Sequence, residues 1–522
     1  MDTNVKDVEE FGAATPRYAW VVLAIVFVAS IAISMFWFSM PPLAENTFSS
    51  YDIFKVEGHT APEWGAVADH YGSLAGEYGQ EAAAAAAAGD TDKAGQLGGL
   101  ADENGALAGQ YGALAGQAGA VAGNFSWTMT ALSITALIAA IPAAGLMRRF
   151  GVKSILVLGM LFGIVGSVWA ALSGSDFIQL IIARAVGGFG VGTIAVTATT
   201  AISVWFSRRR RGLALAIWAV WVPVSTLIVY NLSSVLSPTT VTPFAEGVMI
   251  PSFGAPYPVW WLCAGVLAVC TVLILVFYRM PRADEITDVD AETQGRVKDA
   301  LKFMMSRQFI CLIVTFFVFT AVNHCFTTFN PTFFKTAPDP SLAFGGGLGM
   351  DDGTANLVSS ITTSFGLLAP LFGAVLDRLK LKSKYLLMAC GAIALLGITI
   401  FGFKETVFGI PGFGVYVAFH VLANGILVAC CRPLVPLYVS KGGFAAVSFG
   451  LALMTVMEFA GTFSATPFGY LADYLGTQAG MAGPDYATAI LFVAPIALLG
   501  VIAAFLTKPS KAMVEEMGNA TH

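Results

Sequence analysis

Six polar or ionisable side chains lie inside long apolar stretches of this sequence, where they are the first candidates for chemistry. An ionisable group at membrane depth is costly and is therefore a functional candidate by default. A guanidinium offers a planar fork that matches a carboxylate, and a buried carboxyl group can carry a proton. The set predicts anion binding and proton transfer. Its members are Arg184, Asn323, His324, His420, Arg432 and Glu458.

The composition explains why these groups stand out. The chain has 522 residues, of which 56% are hydrophobic and 12% are charged, whereas a soluble domain carries about 25% charged residues. Runs of roughly 20 apolar residues are long enough to cross a bilayer. The sequence therefore predicts an all-α membrane protein with twelve transmembrane helices. The spans are placed near 18–40, 126–147, 154–173, 176–206, 212–236, 257–279, 308–333, 354–376, 385–403, 411–439, 444–471 and 486–507.

The distribution of Lys and Arg predicts the orientation of these helices. With the N-terminus inside, the inner segments hold 22 Lys and Arg, the outer segments hold 4, and two more lie within spans. Positive charge accumulates on the cytoplasmic side of membrane proteins. We therefore expect a multi-pass protein of the cell membrane with both termini in the cytoplasm.

Two internal echoes indicate a duplication. GLMRRFGVKS starts at position 145 and AVLDRLKLKS at 374, an offset of 229. FWFSMP starts at 36 and FTTFNP at 326, an offset of 290, so about 61 extra residues lie between spans 1 and 2. Internal repeats of this kind are typical of transporters. We predict six-helix halves at 1–279 and 308–522, a cytoplasmic linker at 280–307, and an external insertion at about 45–123.

The predicted insertion is rich in small residues. Residues 105–124 repeat with a period of seven, and 82–88 is a run of Ala. Small apolar residues at heptad spacing favour a closely packed helical hairpin, whereas the many Gly residues disfavour stable helix. A helical hairpin and a flexible low-complexity loop both remain open, either of which could cover the outer mouth or bind a partner.

The basic turns and one helix carry a family resemblance. The chain resembles the major facilitator superfamily, whose turn after span 2 reads G-x-L-x-D-R-x-G-x-K and whose span 4 carries R-x-x-x-G-x-G. Arg148 departs from the first pattern, because the family has Asp there. The resemblance implies gating or structural roles for these turns, and the alternative is a solvated basic loop. The matching positions to which we assign those roles are Arg149, Gly151, Arg184, Gly373, Asp377 and Arg378.

The same resemblance implies that spans 1, 4, 7 and 10 line a central cavity. We expect Arg432 to contact an anionic substrate and Glu458 to couple its movement to a proton. The alternatives are structural pairing for Arg432, bracing of helices by Arg184, and ordinary packing for the histidines and aromatic residues. The candidate substrate-binding residues are Phe36, Trp37, Asn323, His324, Phe329, His420 and Arg432.

These observations predict a secondary active transporter that moves a small organic anion, most simply a carboxylate, by proton symport or anion exchange. The layout resembles the oxalate–formate antiporter and monocarboxylate porter branch of the family. The pattern G-x-x-x-x-G-K-[ST] of ATP-binding loops is absent from the sequence, and we expect no enzyme activity, metal, cofactor or nucleic acid, and a monomer in the lipid bilayer. Efflux of lipophilic drugs and a transporter-like sensor or assembly protein are the alternatives. The drug-antiporter motif G-x-x-x-G-P is missing from span 5, where 218–226 reads WAVWVPVST.

Overall fold

The structure is a computed structural model. It describes residues 16–117, 121–206, 208–245, 247–282, 305–336, 347–363, 443–481 and 483–507, together with positions 414, 417–418, 431 and 435. Within this part of the chain, eight helical segments are long and apolar enough to cross a membrane. Predicted span 9, span 10 apart from those five positions, and most of span 8 lie outside the described residues.

The N-terminal half is a bundle of long helices that agree with predicted spans 1 to 6 within a few residues, except at span 5. That span is two helices, because the chain turns at Val220, three residues before Pro223. In a continuous helix Pro223 could not donate to the carbonyl of Ala219, four residues earlier, and its ring would clash with that carbonyl. The helices are α1 Arg17–Trp37, α2 Ala44–Ser50, α3 Ala61–Ala87, α4 Thr91–Gln117, α5 Val121–Phe150, α6 Val152–Ala171, α7 Phe177–Trp205, α8 Arg208–Ala219, α9 Trp221–Leu236 and α10 Tyr257–Phe277.

The C-terminal half contributes five described helices. Predicted span 11 begins as one helix, is interrupted at Phe463 and Ser464, and continues as a second, which ends seven residues beyond the predicted limit of 471. The helices are α11 Arg307–Lys335, α12 Asp352–Thr363, α13 Gly443–Thr462, α14 Ala465–Gln478 and α15 Tyr486–Leu506.

Residues 61–117 form a helical hairpin, so the helical alternative for the insertion is confirmed. A capping box starts α3: the Thr60 side chain accepts from the Glu63 backbone N–H, and the Glu63 carboxylate accepts from the Thr60 N–H at 2.7 Å. This arrangement satisfies backbone donors that an N-terminus otherwise leaves unpaired. Gly89, with φ of +83°, allows the tight turn into α4.

A β-hairpin supports the helical hairpin. Strands β3 Thr239–Ala245 and β4 Val248–Phe253 pair antiparallel between α9 and α10; two shorter paired strands, β1 Lys55–Val56 and β2 His59–Thr60, precede α3. Trp64 and Val67 of α3 share one apolar cluster with Val248 and Ile250 of β4. The predicted insertion is therefore anchored to a second loop of the N-terminal half.

Glycines bring α6 and α7 into close contact. A methyl group on Gly190 would lie 2.5 Å from the Gly159 carbonyl oxygen, and one on Gly166 would lie 2.7 Å from Gly187 Cα. Small residues allow helix backbones to approach in membranes, where packing replaces the hydrophobic effect as the force between helices. The N-terminal half therefore has a tightly packed centre.

Candidate substrate site and outer seam

Three ring side chains, contributed by both halves, surround Trp37. The Trp37 ring centroid lies 5.3 Å from that of Phe459, 6.4 Å from His324 and 6.5 Å from Trp221. These residues come from α1, α9, α11 and α13. We call Trp37, Trp221, His324 and Phe459 the ring cluster. Its position between the halves makes it the best described candidate for contact with a transported solute.

Two ring nitrogens of this cluster are buried without a hydrogen-bond partner among the described residues. They are Trp37 Nε1 and His324 Nδ1, on side chains that are 1% and 5% exposed. An unsatisfied buried polar group costs about 1–3 kcal/mol. Trp205 and Trp260 also have unpartnered indole nitrogens, but they lie on α7 and α10 within the N-terminal half. The two nitrogens of the ring cluster are the ones that a ligand between the halves could satisfy.

Arg184 holds the end of α1 that carries Trp37. Its guanidinium donates to the carbonyl oxygens of Phe36 and of Trp37, the latter at 2.7 Å, and its Nε donates to the Thr128 carbonyl at 3.3 Å. The guanidinium also lies 4.5 Å from the centre of the Phe36 ring. The last carbonyls of a helix have no partner within the helix. These contacts match the bracing alternative that we gave for Arg184.

The other predicted site residues are spread over several environments. Phe36 packs against Gly187 of α7, and Phe329 stacks on Tyr486 at 5.2 Å, so both lie away from the ring cluster. Asn323 and Glu458 are half-buried and adjoin His324 and Phe459 in sequence. Arg432, His420, Gly373, Asp377 and Arg378 fall outside the described residues, and their predicted roles stay predictions.

The first basic turn, between α5 and α6, has few side-chain contacts among the described residues. Arg149 is exposed, with its guanidinium 5.3 Å from the centre of the Phe150 ring. Gly151 adopts φ of +81° immediately before α6, a conformation that side chains with a Cβ disfavour. The turn therefore requires glycine for its geometry, and its predicted gating role stays a prediction.

A buried ion cluster joins the halves near the ends of α1 and α11, which the charge asymmetry assigns to the outside. Lys335, at the end of α11, bridges Glu45 of α2 at 3.3 Å and also pairs with Asp352, which begins α12. The Lys335 side chain is 8% exposed. Glu45 belongs to the N-terminal half and Asp352 to the C-terminal half. One ammonium group thus connects a carboxylate from each half.

Three hydrogen bonds continue this contact along α9. The Tyr230 hydroxyl donates to the Thr327 carbonyl at 3.3 Å, and the side-chain amide of Asn231 donates to the Ser360 hydroxyl at 3.2 Å. The Asn356 amide donates to the Ser234 hydroxyl at 2.8 Å. Each bond pairs α9 of the N-terminal half with α11 or α12 of the C-terminal half.

Helices α5 and α14 close the opposite side of the same end. The hydroxyl groups of Thr130 and Thr466 lie 2.7 Å apart. The Asp473 carboxylate accepts from the backbone N–H groups of Ala122 at 3.1 Å and Gly123 at 2.7 Å. An acidic residue of one half therefore caps the first turn of a helix in the other half. We call this whole set of contacts between the halves the outer seam.

Sequence reasoning did not single out the acidic residues of the outer seam. The sequence analysis counted Lys335 only as one of the four outer cations. Its position directly after the apolar run of α11 could have indicated a partly buried charge. Glu45, Asp352 and Asp473 gave no signal of their own, because their partners are distant in the sequence. Hydrogen bonds from Asp473 to Ala122 and Gly123 span 351 and 350 residues.

Two curated relatives match limited parts of the chain. Solute carrier family 2, facilitated glucose transporter member 10 of Danio rerio is 30% identical over 114 residues, which is 22% of each chain. An uncharacterized MFS-type transporter of Mycobacterium tuberculosis is 29% identical over 155 residues, which is 30% of this chain and 24% of the relative. The chain thus matches less than a quarter of the length of either relative.

Solved structures match nearly the whole chain in fold. The nucleoside transporter NupG aligns with a TM-score of 0.56 at 14% identity, covering 94% of this chain and 100% of that one. The E. coli xylose transporter XylE, in a partially occluded inward-open conformation, aligns with a TM-score of 0.58 at 11% identity, covering 94% and 100%. A D-xylose–proton symporter aligns with a TM-score of 0.57 at 13% identity, covering 95% and 99%.

The sequence itself decides the family. Residues 22–441 match the sequence profile of the Major Facilitator Superfamily, which is the family that the basic turns and the span 4 pattern predict. The oxalate–formate and monocarboxylate branch is a finer assignment that these similarities leave open. The chain belongs to the Major Facilitator Superfamily and is a multi-pass membrane protein.

Proposed function

We propose that this protein is a secondary active transporter that moves a small organic anion, most simply a carboxylate, by alternating access. The observation that carries the proposal is the pair of unpartnered nitrogens in the ring cluster, Trp37 Nε1 and His324 Nδ1. An indole N–H can only donate, so it requires an acceptor, and a carboxylate presents two acceptor oxygens. The rings of Trp221 and Phe459 fit an apolar substituent on the same solute.

Alternating access gives the outer seam a role. Contacts between the halves bury Lys335 and Asp473 at the end assigned to the outside, so a solute at the ring cluster would be shielded from that side. Opening must break the Lys335–Glu45 bridge and the cap that Asp473 provides. The described arrangement corresponds to the outward-closed stage of the proposed cycle.

In this proposal Arg432 binds the negatively charged group of the substrate, and Glu458 couples substrate movement to a proton. Glu458 is half-buried and directly precedes Phe459 of the ring cluster. A carboxylate arriving at Arg432 would compete with other acidic groups for the guanidinium, and Glu458 is the candidate group for coupling to a proton. Anion and proton movement would then be linked.

Transport of a neutral polar solute is the second candidate function. None of the four side chains in the ring cluster carries a permanent charge, and stacked aromatic surfaces with hydrogen-bond donors also suit ring-shaped polar molecules. Two of the solved structures with this fold are named for a nucleoside and for D-xylose. Sugars and nucleosides therefore belong in the same transport assay as the acids.

Counterflow in proteoliposomes tests the proposal. Labelled lactate, formate, oxalate, xylose, uridine and tetraphenylphosphonium are each offered to vesicles loaded with the same unlabelled compound. Exchange of a carboxylate alone supports the proposal, whereas exchange of xylose or uridine alone supports the second candidate. Exchange of only the lipophilic cation would indicate efflux, and binding without exchange would indicate a sensor.

A matched pair of tryptophan variants locates the site. Trp37→Phe keeps the aromatic ring but removes the donor, and we expect roughly tenfold weaker apparent affinity for the transported acid, the effect of about one hydrogen bond to a charged group. Trp260→Phe removes an equally unpartnered donor within the N-terminal half and should leave the affinity unchanged. Equal effects of the two variants would argue against a substrate contact at Trp37.

A further inference from the structure

Asp473 is a buried carboxylate whose described partners are backbone groups. It lies on α14, two residues beyond the predicted limit of span 11 at 471, and accepts from the N–H groups of Ala122 and Gly123. Its surroundings bury it almost fully. No ion pair with Asp473 is found in the described part of the chain, where backbone dipoles are the groups that offset the cost of removing its charge from water.

The surroundings of Asp473 can be followed element by element. The described start of α5, Val121–Thr130, has no ionisable side chain. On α14 itself the titratable neighbours are Tyr470, whose hydroxyl donates to the Asn124 side chain at 3.1 Å, and Tyr474, which is exposed. At the start of α15 stand Asp485, which caps that helix through the Thr488 N–H at 3.0 Å, and Tyr486.

Tyr486 connects Asp473 to the ion cluster of the outer seam. Its buried hydroxyl has no described hydrogen-bond partner, and it interacts electrostatically with both Asp473 and Glu45. Beyond Glu45, Lys335 is already shared with Asp352. On α11, Cys325 contacts Ser464 and His324 belongs to the ring cluster. The outer seam thus holds three carboxylates for one described ammonium group.

The geometry points to Asp473 as a proton-binding site that couples closure of the outer seam to uptake of one external proton. In the closed arrangement the carboxylate is enclosed by α5, α14 and α15. When α5 separates from α14, the same carboxylate meets water and loses its cap. The proton is therefore bound on closing and released on opening. The inference rests on the proposed transport cycle and adds to it a second proton site, at the outer seam.

The electrostatics have the sign that this coupling needs. Burial raises the pKa of Asp473 from its ordinary value of 3.8 to about 6, against the lowering effect of the backbone N–H groups. The closed seam therefore binds the proton more tightly than the opened, hydrated one. Stability of the closed seam rises as external pH falls through about 6, and the gain is complete below the ordinary value. The closed-to-open ratio should change by roughly 100-fold over that range.

Spin-label distances across the outer seam test this inference without a substrate. Ser175 in the N-terminal half and Gln478 in the C-terminal half are both exposed. Ser175 follows α6 and Gln478 ends α14, and both helices end on the side assigned to the outside. Cysteines placed at these two positions, in a background lacking the seven native cysteines, carry the labels. In liposomes, the short-distance population of the unsubstituted seam should grow as external pH falls from 7.5 to 4.5, with the increase beginning near pH 6.

Neutral caps at position 473 should abolish this titration. Asp473→Asn keeps an acceptor for the α5 N–H groups, so the short distance should dominate at every pH. Asp473→Ser, also a good capping residue, gives the same expectation if the first variant inserts poorly. Asp485→Asn is the matched control, because Asp485 caps a helix of its own half and is also buried. In this variant the short-distance population should still increase as external pH falls below about 6.

The possible outcomes separate this inference from the transport proposal. The proton site at Asp473 is overturned if the distance distribution does not change between pH 7.5 and 4.5. It is also overturned if the pH-dependent increase of the short-distance population persists in Asp473→Asn. Failure of all carboxylates in counterflow while the distances still titrate would instead refute the anion substrate. A titration lost equally in Asp485→Asn would assign the effect to general acid sensitivity of α14 and α15 and also overturn the inference.

Discussion

Removing the charge of Glu45 should loosen the outer seam without leaving a buried charge unpaired. Lys335 binds Glu45 across the halves and Asp352 within its own half. Glu45→Gln therefore weakens only the bond between the halves, because Asp352 still neutralises the ammonium group. The Gln side chain can still accept a hydrogen bond from the ammonium group but carries no charge, so the pair loses its Coulomb attraction, which is about 1 kcal/mol at 4 Å in water and larger where the pair is buried. A loss of about 1 kcal/mol corresponds to a roughly fivefold shift toward the open seam.

Two further variants give the expected effect a rank order. Lys335→Met leaves Glu45 and Asp352 as unneutralised carboxylates in a buried place, so it should open the seam by more than Glu45→Gln, by about 3–5 kcal/mol. Asp352→Asn keeps the bridge to Glu45 and should open it least. The Ser175–Gln478 spin-label pair at pH 7.5 reports the open fraction. If Asp352→Asn opens the seam as far as Glu45→Gln does, the Lys335–Glu45 bridge is not what holds the two halves together at the outer seam.

Two other predictions concern packing and the insertion. Gly190→Ala should destabilise the protein by several kcal/mol, because the added methyl group would lie 2.5 Å from the Gly159 carbonyl oxygen; Gly265→Ala on α10 meets no atom within 4 Å and should be neutral or stabilising by about 0.5–1 kcal/mol, and thermal unfolding in detergent compares the two. Deletion of 61–117, replaced by a short Gly-Ser linker, should leave an inserted protein with active counterflow, because the halves repeat without this segment. That deletion uncovers Val248 and Ile250, so a lower unfolding temperature is expected, while failure to insert would show that the hairpin belongs to the core fold.

Much of the fold follows from local features of the sequence. Apolar runs placed α1, α6, α7, α10, α11 and α15 to within a few residues, because the length and hydropathy of a membrane helix are set by the bilayer. The heptad pattern of 105–124 favoured a helix, and the structure places residues 105–117 of it in α4, Thr91–Gln117, and residues 121–124 at the start of α5. The breaks in spans 5 and 11 were missed, since hydropathy alone does not register a local turn between two apolar helices.

The candidate site was only partly predictable. Trp37 was named from its place in the repeated end of span 1 and His324 as an ionisable group inside span 7, and the structure brings their rings to 6.4 Å. Phe36 and Phe329 carried the same signal but pack elsewhere. Which face of a helix meets the other half depends on the rotation of each helix about its axis, and an apolar run looks alike on every face.

The sequence by itself determined the class of the protein, its family and the candidate membrane segments, because these follow from composition, short motifs and charge along the chain. Only the tertiary structure decided which charges work together. Glu45 and Lys335 are 290 residues apart in the sequence, which is the same offset as that between FWFSMP and FTTFNP. Ala122 and Asp473 are 351 residues apart. A buried charge must be neutralised by whatever packing brings beside it, and that neighbour is fixed by the docking of one half on the other.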